Sequence, residues 1–176
     1  MDITEFWNLI HKTRTAANGD AQKQSELLTE ELARLSEKDI IAFDDIFLDL
    51  KDNAYMGSLW DAATVIMYGC SDDGFQEFRE WLVGRGKEAY ENAIKDPETL
   101  VDVLEVGEQI FPTLLSPAMD AYEKITGKNM PPMPREWAQL QGKPTINIDA
   151  DEAELLAEIS ARFPKLTAKF WEWWTR

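Results

Sequence analysis

The chain has 176 residues, of which 44% are hydrophobic and 11% aromatic, a composition that favours a globular domain over a disordered segment. Its formal net charge of −15 disfavours nucleic acids and anionic membranes as partners, because binding them requires lysine and arginine to neutralise phosphates. The one cysteine, Cys70, cannot form an internal disulfide. No stretch approaches the roughly 18 apolar residues of a membrane span. The first residues lack the positive charge of a signal peptide. We therefore expect a cytoplasmic protein with one domain, residues 1–176.

Capping signals divide the first fifty residues into three predicted helices. Asp2 begins the first helix, with Glu5 three residues later to complete a capping box. Asp20 begins the second helix, which the apolar periodicity extends to about Leu35. Ser36 begins the third.

Three aspartates lie along one face of the third predicted helix, at Asp45, Asp49 and Asp52. Three carboxylates on one face repel one another unless a cation or a basic partner lies over them. A hard cation with oxygen ligands is one interpretation, but the spacing is not that of a dedicated calcium loop. We expect a solvated acidic face.

The stretch from Trp60 to Tyr90 is the least generic part of the chain. A predicted helix over 58–68 ends at Gly69, which fits the left-handed residue after a helix. Ser71 is a good N-cap for the next helix, and the helix dipole favours the carboxylates of Asp72 and Asp73 in its first turn.

The helix that follows this corner has an aromatic core face. Phe75, Phe78 and Leu82 form its core stripe, with Trp81 at the edge. Arg79 lies one or two turns from the two aspartates, and the spacing predicts an internal salt bridge.

The motif residues of this stretch are Trp60, Ala63, Gly69, Ser71, Asp72, Asp73, Phe75, Phe78, Arg79, Trp81 and Leu82. The pattern resembles the centre of the bacterial family known as domain of unknown function 4240, which reads Trp-x-x-Ala, a short apolar run, Gly-x-Ser-Asp-Asp-x-Phe and Phe-Arg-x-Trp-Leu. The resemblance extends to Phe6-Trp7, Ala121-Tyr122-Glu123 and Thr126-Gly127. It implies no particular activity.

Further helices are predicted after the corner. Residues 87–95 form a short helix, and Asp96, followed by proline, begins another that extends to Val106. Ser116, also followed by proline, begins a helix that Gly127 ends.

The last fifty residues combine an irregular connector with two helices. Residues 128–150 are predicted to be mostly irregular, with at most one short extended segment at 145–148. An acidic helix over 151–161 and an aromatic helix after Pro164 pack on the same core. The prediction is a compact all-α fold with eight or nine helices.

The aromatic end of the chain is a second candidate site. Helical periodicity predicts that Trp171 and Trp174 pack inward and that Trp173 is exposed, and exposed tryptophan is enriched at interaction hot spots. The apolar connector Met130–Met133 could suit a peptide, but we expect a surface loop.

Few residues match enzyme templates. The chain has no glycine-rich phosphate loop and no nucleophile elbow. His11 is its one histidine, so the usual zinc ligand sets cannot form. We predict no catalytic residue, no metal site and no cofactor.

The predicted binding residues are Trp60, Ser71, Asp72, Asp73, Phe75, Arg79, Trp81 and Trp173. In a functional interpretation the two aspartates supply oxygen ligands or a general base, and Arg79 orients an anion. In the simpler interpretation, which we favour, Ser71 and the aspartates begin a helix and Arg79 completes an ion pair.

Three possibilities for the function remain. The favoured one is a non-catalytic protein-interaction domain that docks a basic partner, for example in an immunity or antitoxin-like role. The alternative is a small carboxylate-dependent enzyme, or a protein that binds a small ligand or a divalent ion, at Asp72, Asp73 and Arg79. A DNA-mimic inhibitor also fits the charge. The sequence predicts no oligomeric state.

Overall fold

The structure, a computed structural model, describes residues 1–112, 114, 116–132, 134–136 and 138–175. Within them the secondary structure is helical without a β-strand, which confirms the predicted all-α fold. The first six α-helices are α1 Ile3–Ala17, α2 Ala21–Leu32, α3 Glu37–Asn53, α4 Gly57–Met67, α5 Asp72–Gly84 and α6 Lys87–Lys95. After them come a 3₁₀ helix, Pro97–Asp102, then α7 Pro117–Thr126 and α8 Glu152–Arg162. The terminal helical segment consists of α9 Pro164–Leu166, a π-helical turn Thr167–Trp171 and α10 Glu172–Trp174.

The predicted caps begin the first three helices. Asp2 accepts hydrogen bonds from the N–H groups of Thr4 and Glu5, and the Glu5 carboxylate accepts one from the N–H of Asp2. Asp20 and Ser36 cap α2 and α3 in the same way. Helix α2 ends three residues before the predicted boundary because hydrogen bonds between residues three apart tighten its last turn.

The helix predicted after Asp96 is shorter and tighter than expected. The Asp96 carboxylate accepts from the N–H of Glu98 at 3.1 Å, as a cap does, but the element is a 3₁₀ helix that ends at Asp102 rather than Val106. Side-chain cations take carbonyls that a longer helix would use: Lys169 donates to the carbonyl of Val101 at 2.9 Å.

One hydrophobic cluster connects the two ends of the chain. It contains buried side chains from α1 through the terminal helical segment, among them Phe6, Phe43, Phe75, Phe78, Leu82, Ile159, Phe163 and Trp171. Buried side chains of α8 and of the terminal helical segment therefore belong to the same cluster as those of the first six helices. None of the described helices is long and apolar enough to cross a membrane.

A buried carboxylate fixes the connector to this core. Asp61, on α4, is 1% exposed and accepts hydrogen bonds from the N–H groups of Thr145 and Ile146 at 2.9 and 3.0 Å. The guanidinium of Arg162 donates to its other oxygen at 2.5 Å. Residues 145–148 are therefore not paired as a strand, because Asp61 accepts from two of their backbone N–H groups. Met133 of the predicted connector lies outside the described residues.

The acidic face of α3 carries a cation from the connector. Arg135 donates to Asp45 at 2.8 Å, to Asp49 at 2.5 Å and to Asp52 at 3.2 Å. The interpretation as a solvated acidic face missed this contact, because Arg135 lies 83 residues beyond Asp52 in the chain.

Replacing Arg135 by glutamine is expected to lower the free energy of unfolding by about 1 kcal/mol at low ionic strength, because three carboxylates then repel one another without a counter-charge. The loss should shrink as salt screens the repulsion. Urea unfolding at low and high ionic strength measures both effects. Lys165→Gln removes the same charge from an exposed ammonium without an ion pair to a described residue, and an equal loss in that control would contradict the prediction.

Candidate functional site

Two successive residues with positive φ form the corner between α4 and α5. Tyr68, with φ 54°, is the left-handed residue that ends α4, and Gly69 follows with φ 113°. The predicted position of the left-handed cap is therefore one residue off. Ser71 caps α5 as expected, since its hydroxyl accepts from the N–H of Gly74 at 3.1 Å. The left-handed cap directs the Tyr68 side chain to the surface, where it is 46% exposed.

Arg79 makes no ion pair with Asp72 or Asp73, so the predicted salt bridge is wrong. Both aspartates are exposed in the first turn of α5. Arg79 is buried and donates to the carbonyl of Lys51, at the end of α3, at 3.0 Å. Its guanidinium lies over the ring of Tyr55, 4.5 Å from the centroid. Arginine at a helix C-terminus satisfies carbonyls that have no partner within the helix, so Arg79 has a structural role here.

The aromatic residues of the corner hold α4 and α5 together. The rings of Trp60 and Phe75 stack with centroids 4.8 Å apart, and the indole N–H of Trp60 donates to the carbonyl of Cys70 at 2.9 Å. Trp81, predicted at the edge of the core, is buried within it. Burial raises the pKa of the Cys70 thiol to about 12, so the thiol stays protonated near neutral pH and is a poor nucleophile.

The corner brings few chemically useful groups together. Ser71, Asp72 and Asp73 face water, whereas Arg79 lies with its guanidinium against Tyr55. Among the described residues, no three His, Cys, Asp or Glu side chains gather closely enough to hold a metal ion. The anion-orienting role suggested for Arg79 has no geometric support.

Tyr68 connects the corner to an aromatic surface at the end of the chain. Its ring packs on the buried Trp171 at a centroid distance of 4.4 Å and lies 6.3 Å from Trp174. Trp173 and Trp174 meet edge to face at 4.6 Å. Trp173 and Trp174 are 43% and 50% exposed, and Phe111 is 51% exposed. We call Tyr68, Phe111, Trp173 and Trp174 the aromatic surface.

A groove of about 540 Å³ lies within this surface. Its walls are the end of α4, residues 104–111 and the terminal helical segment, and Phe111, Trp173 and Trp174 line it. The indole N–H of Trp174 donates to the carbonyl of Ile66 at 3.1 Å, which fixes this ring at the groove wall. Gly107, with φ 79°, also lines the groove.

The periodicity argument was correct for two of the three tryptophans. Trp171 is buried and Trp173 is exposed, as predicted, but Trp174 is half-exposed rather than packed inward. The π-helical turn Thr167–Trp171 explains the difference. Its hydrogen bonds join residues five apart, which changes the rotation of every side chain that follows.

Glutamates lie at the rim of the groove. Glu105 and Glu108 line it, together with apolar residues. Glu105 pairs with Lys169 at 3.3 Å, and Glu108 pairs with Arg85 at 2.8 Å. Glu172 is exposed on the terminal helical segment. An apolar centre with a charged rim is typical of protein-interaction sites.

The fold and this surface define a class: an all-α acidic protein with an open aromatic groove beside its C-terminal helices. The chain belongs to the family described as Protein of unknown function (DUF4240), whose model matches residues 1–124. No curated protein and no solved structure matches the chain. The matched residues include Tyr68 and Phe111, whereas Trp173 and Trp174 lie beyond them.

Proposed function

We propose that this protein is a non-catalytic protein-interaction domain that docks a basic partner through the aromatic surface. The observation that carries the proposal is the groove with its three large exposed aromatic side chains. Tryptophan and tyrosine dominate the binding energy of many interfaces, because they bury a large area while losing little side-chain freedom. An immunity or antitoxin-like role is one form that such docking takes.

The net charge supports a basic partner rather than a second copy of the same chain. Two copies at −15 each repel one another, whereas a protein of opposite sign is steered towards the surface. The glutamates at the groove rim pair with Lys169 and Arg85, so this argument rests on the net charge of the whole chain. The same charge supports the expectation that nucleic acids and anionic membranes are not partners.

The test is capture of partners from a native lysate on the tagged 176-residue chain, at low and at high salt, followed by mass spectrometry. We expect one dominant basic protein whose capture Trp173→Ala reduces at least about tenfold, as loss of a hot spot does. Leu156→Ala is the matched control, since Leu156 is an apolar side chain of similar exposure, 42%, on α8. It should leave capture unchanged.

Three outcomes would overturn the proposal. One is the absence of any partner together with measured turnover of a small molecule. Another is equal capture by the wild type and by Trp173→Ala. The third is self-association in sedimentation that Trp173→Ala abolishes, because the groove would then bind a second copy.

A further inference from the structure

A second cavity, of about 330 Å³, lies between α3, α7 and the residues that follow α7. Its walls are mainly apolar, with Leu48 from α3, Met119 from α7 and Met130 and Pro131 from the connector. Asp44, one turn before Leu48, contributes a carboxylate to this cavity. Methionine side chains adapt to the shape of a ligand more readily than branched ones.

The Asp44 carboxylate is the charged group of α3 that lines this cavity. Among the described residues it makes neither a hydrogen bond nor an ion pair, although it is half-buried. The two cations that lower its pKa, Lys51 and Arg135, form ion pairs with other carboxylates. Lys51 pairs with the buried Glu80 at 3.3 Å, and Arg135 binds the aspartate stripe of α3. A desolvated carboxylate without a counter-charge is costly for the fold, so it marks a place where a cation would bind favourably.

We propose that this cavity binds a lysine or arginine side chain of the basic partner. The proposal rests on the proposed function and adds a second contact to it, separate from the aromatic surface. The alkyl part of such a side chain would pack along Met119, Met130 and Leu48, while the charged end would reach Asp44. Charge complementarity selects this occupant over an apolar side chain, which would leave the carboxylate desolvated and unpaired.

The binding should depend on pH. Burial raises the pKa of Asp44 to about 6, with Lys51 and Arg135 opposing the rise and Asp45 adding to it. Glu123, from α7, is the other charged group that lines the cavity. A cation binds the ionised carboxylate, so affinity should be weak below the pKa of Asp44 and should increase as the pH rises through about 6.

The test uses the full chain with ¹³C-labelled methionine methyl groups, observed by NMR. The probe is a capped tripeptide with a lysine between two glycines, and its counterpart carries norleucine, which lacks the ammonium group. We expect saturable shifts of the Met119 and Met130 methyl signals near neutral pH. The norleucine peptide should bind at least about tenfold more weakly. A tenfold change in affinity is the same free energy as a change of one unit in the pKa of the carboxylate.

Two variants locate the contact. Asp44→Asn removes a half-buried charge without changing the shape, so it should remain folded and should lose the preference for lysine. Asp120→Asn removes an exposed charge beside Met119 on α7 and should keep the preference.

Equal binding of the two peptides, lysine binding by Asp44→Asn that equals the wild type, or shifts confined to other methionines would each overturn the inference. The peptide experiment needs no natural partner, so its failure is distinct from failure of the proposed function. Partner capture that survives in Asp44→Asn would likewise reject this pocket and leave the aromatic surface in place.

Discussion

Replacing Asp61 by alanine is expected to lower the free energy of unfolding by roughly 2–3 kcal/mol. Hydrogen bonds to a charged group contribute about 1.5–3 kcal/mol, and Asp61 is buried while its partner Arg162 is 33% exposed. The substitution would leave the guanidinium of Arg162 without its buried partner and two backbone N–H groups, of Thr145 and Ile146, without an acceptor. A donor that loses its acceptor costs less where water can replace that acceptor, so the N–H of the exposed Thr145 should contribute less than that of the half-buried Ile146. Urea unfolding followed by tryptophan fluorescence measures the change.

Glu158→Ala is the matched control for this prediction. Glu158 pairs with the same arginine, at 3.1 Å, but from the solvent-facing side of α8. Exposed pairs contribute about 0–1 kcal/mol, so its loss should be small. Equal losses in the two variants would show that burial of Asp61 is not what makes its contacts strong.

Trp171→Ala is expected to destabilise the protein by roughly 3–5 kcal/mol, the range for a buried large aromatic side chain. Trp171 is 4% exposed, and its ring packs against Tyr68 from the end of α4. Without it, the terminal helical segment loses its closer ring contact with Tyr68 and keeps only that of Trp174, at 6.3 Å. Thermal and urea unfolding of the variant measure the loss.

Trp173→Ala is the paired control, since the residue type is the same and the position differs by two. Its exposed indole should contribute less than about 1 kcal/mol to stability, while its removal should reduce partner capture. A stability loss as large as that of Trp171→Ala would mean that Trp173 serves the fold, and its assignment to a docking surface would then be wrong.

The local features of this fold could be predicted from the sequence because their causes are local. A cap depends on a side chain and an N–H group two or three residues away, so Asp2, Asp20, Ser36 and Ser71 identified the starts of four helices. The bounds of α6 were predicted to the residue. The apolar stripe of α5 predicted the burial of Phe75 and Phe78 for the same reason.

The contacts that the sequence did not predict join residues that are far apart in the chain. Arg79 was assigned to the nearby aspartates, yet it binds a carbonyl 28 residues away. The contacts of Asp61 with residues 145 and 146 span 84 and 85 residues. No periodicity or spacing encodes such pairs, since many carboxylates in an acidic chain are equivalent until the fold selects one.

In the candidate site, too, only features with a local cause could be predicted. The exposure of Trp173 followed from helical rotation, and the exposure of Trp174 did not, because a π-helical turn has no sequence signature that we could use. Tyr68 belongs to the aromatic surface because it is the left-handed cap of α4. Phe111 belongs to it from a segment without regular secondary structure. Neither position belongs to a repeating pattern.

The contact between Arg135 and the aspartates of α3 has a consequence for any basic protein that approaches this chain. A cation of such a protein that approaches Asp45, Asp49 and Asp52 competes with a guanidinium tethered to the same chain, whose effective concentration is on the order of millimolar. An exposed ion pair contributes only about 0–1 kcal/mol, so a single lysine or arginine of another protein should displace this guanidinium poorly. The aspartate stripe of α3 is thereby shielded from indiscriminate binding of lysine and arginine side chains.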